Sequence, residues 1–146
     1  MKLTTKMRYG TRAMLDLALH SQDGPASLKE IARRQGLSVK YMEHLLSALQ
    51  TGGLVRAERG ARGGYLLARP AEMINLRQLY DILEGSEGFV ECTGEPAVCP
   101  RSDDCVTREV WAQMYAASMS VLENVTVAEL AARARRQEDN GLMYHI

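Results

Sequence analysis

Two short helical patterns, separated by a turn of two residues, constrain the fold of this chain more than any other feature of its sequence. Ser27 and Glu30 form a capping box, which predicts that a helix begins with "LKEIARRQ". That pattern ends at Gly36, and Ser38 can cap a second helix, "VKYMEHLLSALQ". The apolar residues of the second helix share one face: Met42, Leu45, Leu46 and Leu49. The sequence therefore predicts two helices that pack together across a tight turn.

A glycine- and arginine-rich segment, "LVRAERGARGGYLLARP", follows the second helix. Its two short apolar runs, at 54–55 and 65–67, flank a tip that contains Gly60 and Gly63, which is the pattern of a β-hairpin. A helix, a turn, a helix and a basic hairpin occur in this order in a winged helix-turn-helix. We therefore predict a mainly α fold in which residues 1–70 form a winged helix-turn-helix domain with a small β-hairpin wing. The alternative is an ordinary helical hairpin followed by a solvated charged loop.

The formal net charge of zero conceals an asymmetry along the chain. Residues 1–70 contain twelve Lys or Arg and five Asp or Glu, whereas residues 71–146 contain six and thirteen. A basic domain is typical of proteins that bind phosphates, although a chance imbalance on a solvated surface would look the same. We expect double-stranded DNA as the partner, with the second helix in the major groove and the wing tip near the minor groove. The expected DNA contacts are Ser38, Lys40, Tyr41, Glu43, Arg59 and Arg62.

The acidic half, residues 71–146, predicts three further helices and one loop, with residues 71–132 forming the linker, cluster-binding and dimerisation region. A linker helix over 76–85 follows Asn75, a cysteine-bearing loop covers 85–105, a long helix covers 106–125, and a short final helix, "VAELAARARR", begins after Thr126. The long helix has two apolar stripes and therefore needs two packing partners. We predict that it is the dimerisation helix of a homodimer, although core packing within one chain would explain Trp111 or Tyr115 alone. Residues 133–146 are expected to form a flexible tail.

All three cysteines of the chain, Cys92, Cys99 and Cys105, lie in the predicted loop. Thiols in a reducing compartment bind metal or undergo redox chemistry more often than they form structural disulfides. The spacing does not match paired CxxC zinc knuckles, and the loop contains no His. An iron-sulfur cluster tolerates irregular spacing and one ligand that is not cysteine. Three free buried thiols and a thiol-disulfide switch remain as alternatives.

The location and the class of protein follow from what the sequence lacks. It contains no run of about 18 apolar residues and no signal-peptide pattern in "MKLTTKMRYG", so we expect a cytoplasmic protein with no membrane partner. No Ser-His-Asp or Cys-His arrangement, phosphate-binding glycine motif or acid pair is legible. We therefore do not expect an enzyme.

Three stretches carry a resemblance to a known family: "LTTKMRYGTRAMLDLA", "GLSVKYMEHLLSALQTGGLVRAERGARGGYLL" and "CVTREVW", which begins at the third cysteine. Together with the cysteines they resemble the iron-sulfur cluster regulator IscR and its nitric-oxide-sensing relatives of the NsrR type, over residues 1–132. The resemblance implies a homodimeric transcription regulator, which we expect to be a repressor, with a cluster at the three matching cysteines. It also implies that DNA affinity or site preference changes when the cluster is lost, oxidised or nitrosylated, and that the helix from Ser38 and the wing from Arg59 to Arg62 contact operator DNA.

One position departs from the family pattern. IscR-like relatives often have a His three residues after the third cysteine, whereas this chain has Arg108, whose guanidinium offers no lone pair. We predict Glu43 as the fourth ligand, in preference to the loop acids, and a 2Fe-2S cluster in preference to 4Fe-4S. The alternative is that Glu43 only contacts a DNA base. The loop acids are Glu91, Glu95, Asp103, Asp104 and Glu109.

Two other functions compete with a cluster-controlled regulator. They are a metal-free thiol-redox regulator and an iron-sulfur electron or cluster carrier, although a carrier has no use for the wing.

Overall fold

The computed structural model describes residues 3–143 and shows a mainly helical winged helix-turn-helix protein with one antiparallel β-hairpin. The winged helix-turn-helix part comprises α1 (Thr5–His20), α2 (Leu28–Gln35), α3 (Val39–Thr51), β1 (Val55–Glu58) and β2 (Gly64–Leu67). The following part comprises α4 (Leu76–Leu83), α5 (Glu91–Gly94), α6 (Val106–Glu123) and α7 (Val127–Met143). Single 3-10 turns occur at Ala71–Met73, Pro96–Val98 and Ser102–Asp104.

The caps predicted for the helix-turn-helix are confirmed. The Glu30 backbone N–H donates to Ser27 Oγ at 3.3 Å, and the Ser27 backbone N–H donates to the Glu30 carboxylate at 3.2 Å. Gly36 ends α2 with a φ of +64°, a left-handed conformation that favours glycine. Ser38 begins α3 by accepting a hydrogen bond from the Tyr41 backbone N–H at 3.2 Å. The four apolar residues predicted to share a face of α3 are all buried.

The wing is joined to the helices by an isolated β-bridge between Ala26 and Tyr65. β1 pairs with β2 in a register that places Val55 opposite Leu67 and Glu58 opposite Gly64. Ala26, just before α2, exchanges two backbone hydrogen bonds with Tyr65, at 3.0 and 2.8 Å. A Cβ on Gly64 would lie 2.3 Å from the Ala26 carbonyl oxygen, so this close approach requires glycine. The wing is therefore held at a defined angle to α2.

A single hydrophobic cluster includes residues from both the basic and the acidic parts of the chain. α1 packs against α2, α3, α4 and α7, and its buried residues meet Ile74, Leu79 and Val127. The linker helix and the final helix therefore complete the core of the winged domain. Among residues 3–143, no helix combines the length and the apolar character that crossing a membrane requires.

The last two helices differ in how they are packed. Along α6, Met119 is the buried residue, whereas Val106, Val110, Trp111, Met114 and Val121 are exposed.

The predicted short final helix is wrong in length, because α7 continues beyond Arg136 to Met143. The residues from 137 onward include good helix formers, and α7 is anchored by packing on α1. The predicted flexible tail is therefore helical as far as Met143, and residues 144–146 lie outside the described residues.

Candidate nucleic-acid interface and cysteine loop

The N-terminal end of α3 is open to solvent, as expected for a recognition helix. Ser38, Lys40 and Glu43 are exposed, whereas Tyr41 is half-buried. The Ser38 hydroxyl is already used to cap α3, so its first role is to begin the helix. Lys40 and Glu43 have exposed side chains that can reach a base edge or a phosphate.

Tyr41 rests on α1 and is held by neighbours that the sequence patterns did not identify. Its ring meets the ring of Tyr9 edge to face, with the ring centroids 6.2 Å apart. The guanidinium carbons of Arg12 and Arg8 lie 5.2 and 6.0 Å from the centre of the Tyr9 ring. Arg12 also donates to the side chain and the backbone carbonyl of Gln35 at 2.9 and 3.2 Å. The α1 segment "MRYGTR" therefore adds two cations beside the recognition helix.

The wing presents two free-standing arginines between its strands. Arg59 and Arg62 are exposed on the segment that joins β1 to β2. Arg56, on β1, instead forms an ion pair with Glu58 at 3.0 Å. Arg59 and Arg62 therefore lie at the tip of the wing, whereas the charge of Arg56 is partly neutralised by Glu58.

A buried ion pair fixes α2 against α1. Asp16 is 2% exposed, and it accepts hydrogen bonds from Arg34 at 2.7 and 2.9 Å and from the Gln35 side chain at 2.9 Å. These bonds to Asp16 raise the pKa of Arg34 above its ordinary value. The orientation of the helix that leads into the turn therefore depends on one buried carboxylate.

The segment predicted as a loop contains short helical turns that carry the cysteines. Cys92 lies in α5, Cys99 ends the turn Pro96–Val98, and Cys105 is the N-cap residue of α6. All three are free and half-buried. Within residues 3–143, no group of three or more His, Cys, Asp and Glu side chains is arranged to hold a metal ion. The structure therefore does not bring the three sulfurs and Glu43 together within one chain.

The surroundings of Cys105 favour its thiolate form. Its Sγ lies 3.3 Å from Thr107 Oγ1, and this hydroxyl can donate to the sulfur. The hydrogen bond from Thr107, followed by one from the backbone N–H of Arg108, lowers the pKa of the Cys105 thiol below its ordinary value. A thiolate is the form of cysteine that binds metals and attacks disulfides.

The three cysteines are soft sulfur donors of the kind that an iron-sulfur cluster would use, and they lie on one short segment. Arg108 lies beside them and donates from Nε to the Cys92 carbonyl at 2.7 Å and from Nη1 to the Ser102 carbonyl at 3.5 Å. Arg108 is thus a hydrogen-bond donor to the loop and cannot act as a ligand.

Comparison with known proteins finds relatives that match most of the chain. The profile of the Rrf2 family, described as "Iron-dependent Transcriptional regulator", matches residues 3–133. Protein rrf2 of Nitratidesulfovibrio vulgaris is 45% identical over 130 residues, which are 89% of this chain and 87% of that protein. The structure of CymR, the global cysteine regulator of B. subtilis, matches with a TM-score of 0.76 at 37% identity, over 91% of this chain and 98% of that one.

A second solved structure, T. potens IscR, matches with a TM-score of 0.75 at 40% identity, over 92% of this chain and 88% of that one. The resemblance to IscR that the sequence motifs indicated is therefore confirmed. The family profile is described as a transcriptional regulator, and CymR is named a global cysteine regulator. The chain belongs to the Rrf2 family of winged helix-turn-helix, DNA-binding transcriptional regulators.

Proposed function

We propose that the chain is a homodimeric repressor whose operator binding is controlled by an iron-sulfur cluster held by Cys92, Cys99 and Cys105. One observation carries this proposal: three free, half-buried thiols lie on one segment that leads directly into α6. The likeness to T. potens IscR supports it. We favour a 2Fe-2S cluster, which would supply sulfur-iron bonds between the turns of the loop that oxidants or nitric oxide can break.

The packing of the helices offers a route from the loop to DNA. α5 contacts α6, α6 contacts α4, and α4 contacts α3, the recognition helix. A change in the loop that moves α6 would therefore be transmitted through α4 to the residues proposed to contact DNA. These residues are Ser38, Lys40, Tyr41, Glu43, Arg59 and Arg62.

Exposed apolar surface supports the proposed homodimer. An open groove of about 660 Å³ lies beside α6, with Leu3, Val90, Trp111 and Met114 among its lining residues. Val106 and Val110 of α6 are exposed as well. Contiguous apolar surface of this kind marks interaction sites, and dimers match the two half-sites of an operator.

Replacing all three cysteines with Ala should remove the visible colour and the iron and sulfide of protein purified without oxygen. The triple variant should remain a folded dimer, because the cysteines lie outside the hydrophobic core. Absorption spectra, iron and sulfide analysis and size-exclusion chromatography measure these effects. A colourless, iron-free parent protein would contradict the cluster, and an unfolded or monomeric triple variant would show that the cysteines have a structural role.

Glu43→Ala should give a cluster with an altered spectrum or a shorter lifetime, and DNA binding that responds less to cluster loss. The reason is that we propose Glu43, exposed on α3, as the fourth ligand, supplied across the dimer because one chain does not bring it to the three sulfurs. Such a bond would tie the recognition helix to the cluster. His44→Ala is the matched control, since His44 is also exposed but points about 100° further round the helix. A Glu43→Ala protein with the spectrum and cluster lifetime of the parent would leave Glu43 as a DNA contact only.

A thiol-redox regulator without metal is the second candidate. It is favoured by the lowered pKa of Cys105 and by the likeness to CymR, the global cysteine regulator. In this case, metal-free protein would change its DNA affinity after treatment with peroxide and recover it after reduction. The cluster proposal expects metal-free protein to bind DNA equally well before and after mild oxidation.

A further inference from the structure

The cysteine loop has a polar centre. Within residues 85–105, Ser102 is the buried residue, at 7% exposed. A buried hydroxyl is unfavourable unless it forms a hydrogen bond, and Ser102 Oγ donates to the Pro96 carbonyl at 2.7 Å. Its backbone N–H donates to the Cys99 carbonyl at 3.1 Å. Ser102 therefore joins the turn before Cys99 to the turn before Cys105.

Arg108 connects the other two cysteines to this centre. Its Nε donates to the Cys92 carbonyl at 2.7 Å, and Nη1 reaches the Ser102 carbonyl at 3.5 Å. Its backbone N–H donates to the Cys105 carbonyl at 3.1 Å, within the first turn of α6. The backbone carbonyl of every cysteine thus accepts a hydrogen bond from Ser102 or from Arg108.

The guanidinium contact is the one that closes the loop. Arg108 and Cys92 are sixteen residues apart, and the buried hydrophobic cluster includes no residue from 85–105. Burial of apolar surface therefore contributes little to holding α5 against the start of α6. A charge-assisted hydrogen bond is about twice as strong as a neutral one, so the bond from Arg108 to the Cys92 carbonyl can hold α5 in place.

We propose that Arg108 and Ser102 are positioning residues that arrange the backbone of the three cysteines before any cluster or oxidant arrives. Arg108 then holds the loop as a planar donor that spans two carbonyls. The purpose of this arrangement rests on the proposed function, whereas the hydrogen bonds themselves involve only residues of this chain. It can therefore be tested without a cluster.

Hydrogen exchange of the metal-free protein, followed by mass spectrometry on peptides that cover 91–105, tests the proposal. Arg108→Ala should speed exchange of these amides by about tenfold or more, because a hydrogen bond to a charged group is lost. Arg108→Lys should give an intermediate rate, since one ammonium cannot span both carbonyls. The matched control is Arg101→Ala, which removes the same charge from an exposed position of the same loop. Circular dichroism should show that all three variants are folded.

Exchange in Arg108→Ala that equals that of the parent would overturn the proposal. A parent-like rate in Arg108→Lys would also overturn it, because charge alone would then be sufficient. A second measurement is cluster lifetime after anaerobic loading, which Arg108→Ala should shorten by about tenfold while Arg101→Ala leaves it unchanged. A parent protein that takes up no cluster would contradict the proposed function, while the exchange rates would still decide the role of Arg108.

Discussion

Asp16→Ala is expected to lower the free energy of unfolding by about 2–4 kcal/mol, the largest effect on stability that we predict for a single polar residue. Asp16 is 2% exposed and accepts three hydrogen bonds from Arg34 and one from Gln35. Removing Asp16 leaves the Arg34 guanidinium without its carboxylate partner. The Arg34 side chain is 23% exposed. Because this guanidinium keeps some contact with water, we place the loss below the upper end known for fully buried pairs.

The matched control for this prediction is the exposed ion pair of α4. Arg77 donates to Asp81 at 2.9 Å, but the Asp81 side chain is 39% exposed. Asp81→Ala should therefore cost only about 0.5 kcal/mol. Urea unfolding of both variants at one protein concentration measures the difference. Equal losses for Asp16→Ala and Asp81→Ala would mean that burial does not determine the strength of these pairs.

The double substitution of Arg59 and Arg62 by Ala should weaken operator binding more than any other change on the surface of the winged domain. An arginine that reads a base contributes about 1–3 kcal/mol, and one that contacts phosphate contributes less and independently of sequence. Both side chains are exposed at the tip of the wing. Binding is measured by fluorescence anisotropy on DNA selected by the parent protein from a random pool. Iron content should not change.

Arg56→Ala serves as the control in the same wing, because Arg56 is already paired with Glu58 at 3.0 Å. A salt titration separates the two kinds of contact, since each lost phosphate contact lowers the slope of log K against log salt by about one. If the double variant binds as the parent does at every salt concentration, the wing has no part in DNA recognition.

The elements that the sequence predicted well are those specified by neighbouring residues. The capping box of Ser27 and Glu30, the glycine at the end of α2 and the cap at Ser38 set the bounds of two helices correctly. The hairpin was predicted from two short apolar runs on either side of a glycine-rich tip. Such signals act within a few residues, so they persist whatever the rest of the chain does.

The end of α7 was predicted poorly because the apolar pattern that marks a helix stops before the helix does. The polar residues after Arg136 form no buried face, yet the helix continues to Met143. Helical propensity and an anchored start are sufficient to extend it. Periodicity likewise does not reveal the packing partner of the exposed apolar stripes of α6. It shows that a helix face is apolar, but it does not show what covers that face.

By itself, the sequence determined the helix-turn-helix, the wing, the family and the placing of three cysteines on one segment, since local caps, turn residues and motif order suffice for these. Tertiary structure alone decided that Asp16 is buried against Arg34, that Tyr41 rests on Tyr9, and that Arg108 bonds to the Cys92 carbonyl. These pairs are 18, 32 and 16 residues apart in the sequence. Contacts over such separations depend on how helices pack, and no periodicity within a single helix carries that information.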